Sequence, residues 1–163
     1  MAALISTRRI AAVAFVLSLA AASVQAATAP ADPCSLLTAA QVSSTMGDSF
    51  GAPQESIAPR PFANTVQGTD CHYQTKSGRG EVLFRVYFDP SAADATSLHA
   101  RLKMFFGSGS VPASVGDEAY IDESHAIHVR KGNVRYYIAV SGGDTQTGKN
   151  RTLALANLLA GEI

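Results

Sequence analysis

Four histidines, His72, His99, His125 and His128, are the readiest proton carriers in the chain. On a strand His125 and His128 point to opposite faces, so they cannot chelate one metal together. Asp122-Glu123-Ser124-His125 holds the side-chain types of a hydrolase triad, yet contiguous neighbours cannot assemble that geometry. No S-x-x-K or H-E-x-x-H motif occurs. Gly143-Asp144-Thr145-Gln146-Thr147-Gly148-Lys149-Asn150 is one residue short of a phosphate-binding loop. Asn150 stands where a Ser or Thr hydroxyl would hold magnesium, so the run reads as a polar loop. The sequence therefore offers no catalytic residue, no cofactor site and no metal site. A small hydrolase with a site assembled from separated residues is the enzymatic alternative.

Cys34 and Cys71 are the only cysteines. An even count in an exported chain reads as a disulfide, and two cysteines at this spacing make no zinc pattern. A redox-catalytic pair would want C-x-x-C, which is absent. Closing a loop of about 38 residues contributes roughly 4 kcal/mol in the chain-entropy account.

Export itself is read from the amino terminus. Arg8 and Arg9 precede an apolar run from Ile10 to Ala22, and Ser23-Val24-Gln25-Ala26 supplies small side chains at a cleavage site. The apolar run is shorter than the roughly 20 residues that span a bilayer, so a cleaved signal over residues 1–26 is expected rather than an anchor. Ala31-Asp32-Pro33 before Cys34 is no lipobox, which argues for a free periplasmic or secreted protein. Cleavage removes two arginines and no acids, leaving a slightly acidic chain. Across the 163 residues 13 Lys+Arg balance 13 Asp+Glu, so no field exists to grip nucleic acid or an anionic membrane. With 47% apolar residues and 16% charged, the chain is long enough to bury its own core. Residues 27–33 are expected to form a flexible mature N-terminus, and 34–163 a single α+β domain.

The elements follow from pattern. Thr38-Ala39-Ala40-Gln41 is a capping box, Leu37 and Val42 can form a hydrophobic staple, and Gly47 offers a left-handed stop, so a helix spans Ala39 to Met46. Gly51 to Gly68 holds three prolines and reads as a long irregular loop with at most a brief edge strand. From Thr69 the period becomes two, and Val82, Phe84, Val86 and Phe88 alternate against Leu83, Arg85 and Tyr87. Asp89-Pro90 reads as a helix cap with proline at the first helical position, and Ala95, Leu98, Leu102 and Phe105 as an apolar core stripe. Strands are expected at Glu118 to Asp122, His125 to Arg130 and Val134 to Ser141, the last two joined by a turn at Lys131-Gly132-Asn133. Leu155, Leu158 and Leu159 mark a closing helix. The order α-β-β-α-β-β-β-α gives an α+β fold: an antiparallel sheet with three helices and one disulfide.

Asp32-Pro33-Cys34-Ser35-Leu36-Leu37-Thr38, with Val42 and Gly47 after it, resembles the opening of a family of small exported bacterial proteins of unknown function, many of them lipoproteins. Cys71-His72-Tyr73 matches that family's second cysteine followed by x-aromatic, and Gly116-Asp117-Glu118-Ala119-Tyr120 its G-D-E-A-aromatic element. The resemblance implies a compact α+β domain of a PsbP-like sort with the cysteines bridged, and it carries no catalytic residue. The missing lipobox departs from the lipoprotein members.

A surface remains as the functional candidate. Period two places Arg85, Tyr87, Tyr120, His128, Arg130, Arg135 and Tyr137 opposite apolar core positions. Collected on one face, they would suit a small anionic or sugar-like ligand or an envelope protein partner, because Arg and aromatic side chains dominate binding patches. The plain alternative is the polar side of a half-exposed sheet, or a face covered by the last helix, since strands favour tyrosine anyway. Read as a non-enzymatic binding or interaction module, the chain is expected to lose capture of its partner yet keep its fold in Arg135→Ala with Tyr137→Ala, neither residue belonging to the core stripe.

Overall fold

The computed structural model describes residues 26–141 and 145–163. The expected signal lies outside them except for Ala26, as do Gly143 and Asp144 of the phosphate-loop-like run.

A single 3-10 turn, Pro33–Leu36, opens the domain, with the Asp32 carboxylate accepting the Cys34 N–H at 2.9 Å. Helix α1, Ala39–Met46, follows immediately. Its capping box is formed: Thr38 Oγ1 accepts the Gln41 N–H at 3.2 Å, and Gln41 Oε1 accepts the Thr38 N–H at 2.7 Å. Gly47 ends the helix at φ 69°, a conformation that costs glycine nothing. Strands β1 (Gln54–Ala58), β2 (Gly68–Gln74) and β3 (Glu81–Phe88) come next, then helix α2 (Ala92–Phe106). Strands β4 (Val111–Ala113), β5 (Glu118–Ile121), β6 (Ile127–Lys131) and β7 (Val134–Ser141) lead to helix α3 (Thr145–Glu162).

Among the described residues the strands form one seven-stranded sheet in the order β1-β2-β3-β7-β6-β5-β4, every neighbouring pair antiparallel. Two meanders, β1 to β3 and β4 to β7, thus meet edge to edge at β3 and β7. This is the expected α+β fold, widened by a short strand at each edge, β1 within the Gly51–Gly68 segment and β4 after α2.

One face of the sheet is apolar. Phe84 lies opposite Ile138, Val86 opposite Tyr136 and Val129 opposite Tyr136, and these side chains join Leu37, Val42, Met46, Leu155 and Leu159 in a single buried cluster. Helices α1 and α3 cover this face and touch each other. Its few polar atoms are satisfied: Tyr136 donates to the Ala156 carbonyl at 2.8 Å, and Tyr73 donates to the carbonyls of Cys34 and Leu37. The Cys34–Cys71 disulfide, with Cα atoms 5.6 Å apart, fastens the opening turn to β2 beneath α1.

Two expectations need correction here. Ser91, not Asp89, caps α2, its hydroxyl accepting the Asp94 N–H at 3.1 Å, because the Asp89 carboxylate is drawn to Arg135 instead. The apolar stripe on α2 is not core throughout: Ala95 is buried, Leu98 and Leu102 are half-buried, Phe105 is exposed, and the residue that joins Ala95 inside is His99. Ala27 meets the turn before β7, where Asn133 Oδ1 accepts the Ala27 N–H at 2.7 Å and Asn133 Nδ2 donates to the Ala27 carbonyl at 2.8 Å.

Candidate functional site

The second face of the sheet is built from the positions between the core residues. Register fixes who meets whom. Arg85 lies opposite Tyr137, Tyr87 opposite Arg135, His128 opposite Tyr137, Arg130 opposite Arg135 and Tyr120 opposite His128. All seven candidate residues therefore share one face. The last helix lies on the other side; α2 crosses this one, over β6 and β7.

Between α2 and the sheet lies a cleft of about 330 Å³. Arg85, Tyr87, His128, Arg135 and Tyr137 line its floor, with Asp122 beside them. His99, Leu102 and Phe106 of α2 form the roof, and Pro59, Arg60 and Pro61 after β1 form one side. The two remaining candidates sit elsewhere. Tyr120 is fully buried behind His128, and Arg130 turns outward to Asp117 at 2.9 Å.

Ion pairs and rings hold the floor. Arg135 donates from Nε and Nη2 to the two oxygens of Asp89 at 2.5 and 2.9 Å, a fork of charge-assisted bonds with both residues only 2% exposed. Arg85 grips Asp70 the same way, at 2.6 and 2.7 Å. That hydrogen bonding raises the Arg85 pKa further above its ordinary value. The Tyr120 ring stacks on His128 with centroids 4.6 Å apart, and His128 meets the Tyr137 ring edge-on at 4.8 Å. His99 reaches down from α2 to within 5.2 Å of the Tyr120 ring. Tyr87 lies under the Arg135 guanidinium, 4.8 Å from centroid to Cζ, and its hydroxyl donates to the Pro59 carbonyl at 2.7 Å. Gly68 allows that approach, for a Cβ there would fall 2.5 Å from Tyr87 Cε1.

The electrostatics separate the two cleft histidines. Burial, reinforced by the positive groups of His128, Arg130, Arg135 and Lys103, pushes His99 down to about 4. His128 instead has a carboxylate, with Nε2 3.0 Å from Asp122 Oδ2. Burial acts to raise the Asp122 pKa, but hydrogen bonds from His128, Ser124 and the Ala126 N–H outweigh it and leave the carboxyl below its ordinary value. Burial likewise raises the Tyr87, Tyr120 and Tyr137 hydroxyls, so all three remain neutral donors.

Two polar atoms of cleft-lining residues stay unpaired. Arg135 Nη1 and His99 Nε2 are buried without a hydrogen-bond partner among the described residues, as is Tyr120 Oη behind them. A buried donor left unmade costs about 1–3 kcal/mol, so a folded protein rarely keeps several together without use.

Pattern reading missed the carboxylates of this site. Asp70 stands directly opposite Arg85 in the β2–β3 register, and Asp89 follows Tyr87 by two residues on the same face. Both signals were present, but they depend on strand pairing rather than on local pattern. The Asp122–His125 run also behaves differently from a triad: Ser124 Oγ donates to Asp122 Oδ1 at 2.6 Å, while His125 sits at φ 69° in the turn. Asp32, Cys34 and Glu55 converge at metal-ligand spacing, but the Cys34 sulfur is spent in the disulfide. Arg135 is buried and ion-paired, so the expectation that its loss leaves the fold intact is overturned. No helix among the described residues is long and apolar enough to cross a membrane. Neither a protein-family model nor a curated protein matches the chain.

Proposed function

We propose that this is an exported, non-enzymatic binding module that takes a small ligand into the cleft between α2 and the Tyr/Arg/His face. The observation that carries this reading is the roof. A flat face of these residues would suit a protein partner, but α2 encloses them around about 330 Å³, the lower end of the range of small-ligand sites. Two guanidinium–carboxylate forks, with His128 stacked on Tyr120 and edge-on to Tyr137, fix the floor in advance, which lowers the ordering cost of binding. Arg8-Arg9, the apolar Ile10–Ala22 run and the D-P-C opening support a periplasmic or secreted location.

The test is a thermal-shift and NMR screen of small molecules on the protein beginning at Ala27. Hits should perturb Tyr87 and Tyr137, and Leu102→Trp, which fills the cleft from above, should abolish them. If an envelope protein is captured equally well with and without Leu102→Trp, and no small molecule perturbs the cleft, the site is not a ligand pocket.

One observation favours a second reading as a hydrolase. Asp122 orients His128 at the cleft floor in the manner of a general base and its orienting acid. Among the described residues no Ser, Thr, Cys or Lys lines the cleft, so a water activated by His128 is the nucleophile this reading calls for. Turnover of small esters that disappears in His128→Asn, with ligand binding retained, would favour the enzyme.

A further inference from the structure

We infer that the ligand is a singly charged carboxylate on a small apolar or aromatic body, its carboxylate accepting from Arg135 Nη1 beside His99, with the body against Tyr87, Leu102 and Phe106. This rests on reading the cleft as a small-ligand site. Donor arithmetic comes first. A guanidinium only donates, and Arg135 commits Nε and Nη2 to Asp89, so whatever completes Nη1 must be an acceptor. His99 Nε2 is the second unpaired atom, on a side chain 1% exposed, and both residues line the same cleft. Burial keeps His99 neutral at ordinary pH, with a pKa of about 4, so with its proton on Nε2 it donates one hydrogen bond to the carboxylate without adding a charge.

Charge comes next. Three arginines line the cleft. Arg85 and Arg135 have carboxylates of their own, whereas Arg60, bonded to the Gln67 amide at 3.3 Å, has no carboxylate in ion-pair range among the described residues. Arg60 is thus the cleft arginine without a carboxylate of its own, while the Asp122 carboxylate on the floor, 3.0 Å from His128, adds negative charge, so the cleft suits a monoanion better than a phosphate dianion. A sugar fits poorly, because most polar groups of the floor are already paired and few remain to meet many hydroxyls. The remaining wall is apolar. Pro59, Pro61, Leu102 and Phe106 face Tyr87 and Tyr137 across a space sized for one ring or a short alkyl chain. Phe106 is 61% exposed without ligand and would gain cover from such a body.

The experiment titrates the chain beginning at Ala27 with benzoate and hexanoate, with benzamide and hexanamide as uncharged twins, and with phenyl phosphate and glucose. Heat and nitrogen shifts of the His99 ring are followed together. Each acid should bind about tenfold or more tightly than its amide, the usual margin for a hydrogen bond to a charged group. Binding should move the His99 ring nitrogens. His99→Phe keeps a ring against Tyr120 and should weaken benzoate about tenfold while leaving benzamide unchanged. Arg135→Lys should erase the preference for acid over amide; if it does not fold, the acid–amide comparison in the unaltered chain and His99→Phe still decide. Equal binding of acid and amide overturns the carboxylate and leaves the cleft reading standing. A preference for phenyl phosphate or glucose overturns it likewise. If no probe shifts any cleft resonance, both the carboxylate and the small-ligand reading fail.

Discussion

Arg135 is both a structural residue and the donor at the cleft, and the two roles can be told apart by what its removal exposes. Arg135→Met leaves the fully buried Asp89 carboxylate without its cation, and breaking a buried pair this way costs about 3–5 kcal/mol. Arg85→Met breaks a similar fork, but Arg85 is a quarter exposed and water can reach the site, so about 1–2 kcal/mol is expected there. Urea denaturation of both variants checks the order; equal losses would mean that Asp89 is not held in the dry interior. Titration gives a second residue-scale expectation. The folded pKa of His99 is lowered from 6.5 to about 4, so between those values the unfolded chain binds more protons. The contribution is therefore intact above pH 6.5, falls as pH is lowered, and is lost below about 4, a change of up to roughly 3 kcal/mol. Asp122 also has a depressed folded pKa, so its contribution is present above the ordinary carboxylate range and disappears as pH falls through the folded value. His99→Phe should flatten the stability curve between pH 6.5 and 4 and leave the lower limb in place. An unchanged slope would locate the proton uptake elsewhere.

Among the elements, the disulfide and α2 illustrate opposite kinds of dependence. Cys34–Cys71 joins the opening turn to β2 under α1, so Cys71→Ser should cost about 4 kcal/mol and lower the melting temperature by more than about 10 °C. A drop of one or two degrees in a calorimetric scan would mean that native packing already confines the turn. Helix α1 was fully legible because its start and stop are written in local chemistry: Thr38 and Gln41 cap it, and Gly47 ends it with φ positive. Strand phase was legible for a similar reason, since alternation at Val82–Phe88 and Val134–Val140 decides which side chains face together. Helix α2 was legible only in part. Its inner surface rests on arginines, tyrosines and a histidine, so the residue it buries deepest after Ala95 is His99, one turn on from Ala95, which a search for apolar side chains leaves out. Asp89 misled for the same reason: it has the chemistry of a cap, but its partner is a strand residue 46 positions away. Local pattern reports local bonds. The cleft is made by non-local ones.

At the scale of the whole molecule the sheet separates two unlike interiors. On one side α1 and α3 bury a continuous apolar cluster, including Phe84, Ile138, Leu155 and Leu159, that no water needs to enter. On the other, α2 rests on ion pairs and leaves an open cleft, and it buries only Ala95 and His99 of its own fifteen residues. Few buried apolar groups and nearby water make an element prone to open alone, while β3 and β7, at the centre of the sheet, can exchange only when the whole domain unfolds. Native-state hydrogen exchange should therefore rank α2 amides well below those of β3, β7 and the Leu155–Leu159 segment of α3, by several-fold in protection or more. Ligand in the cleft contacts α2 and the sheet together, so binding should raise α2 protection first, by the linkage that stabilises any bound state over its open form. Protection of α2 equal to that of β7 in the free protein would sink this division. The roof would then be a fixed part of the core, and entry to the cleft would have to come past Pro59–Pro61 at its side.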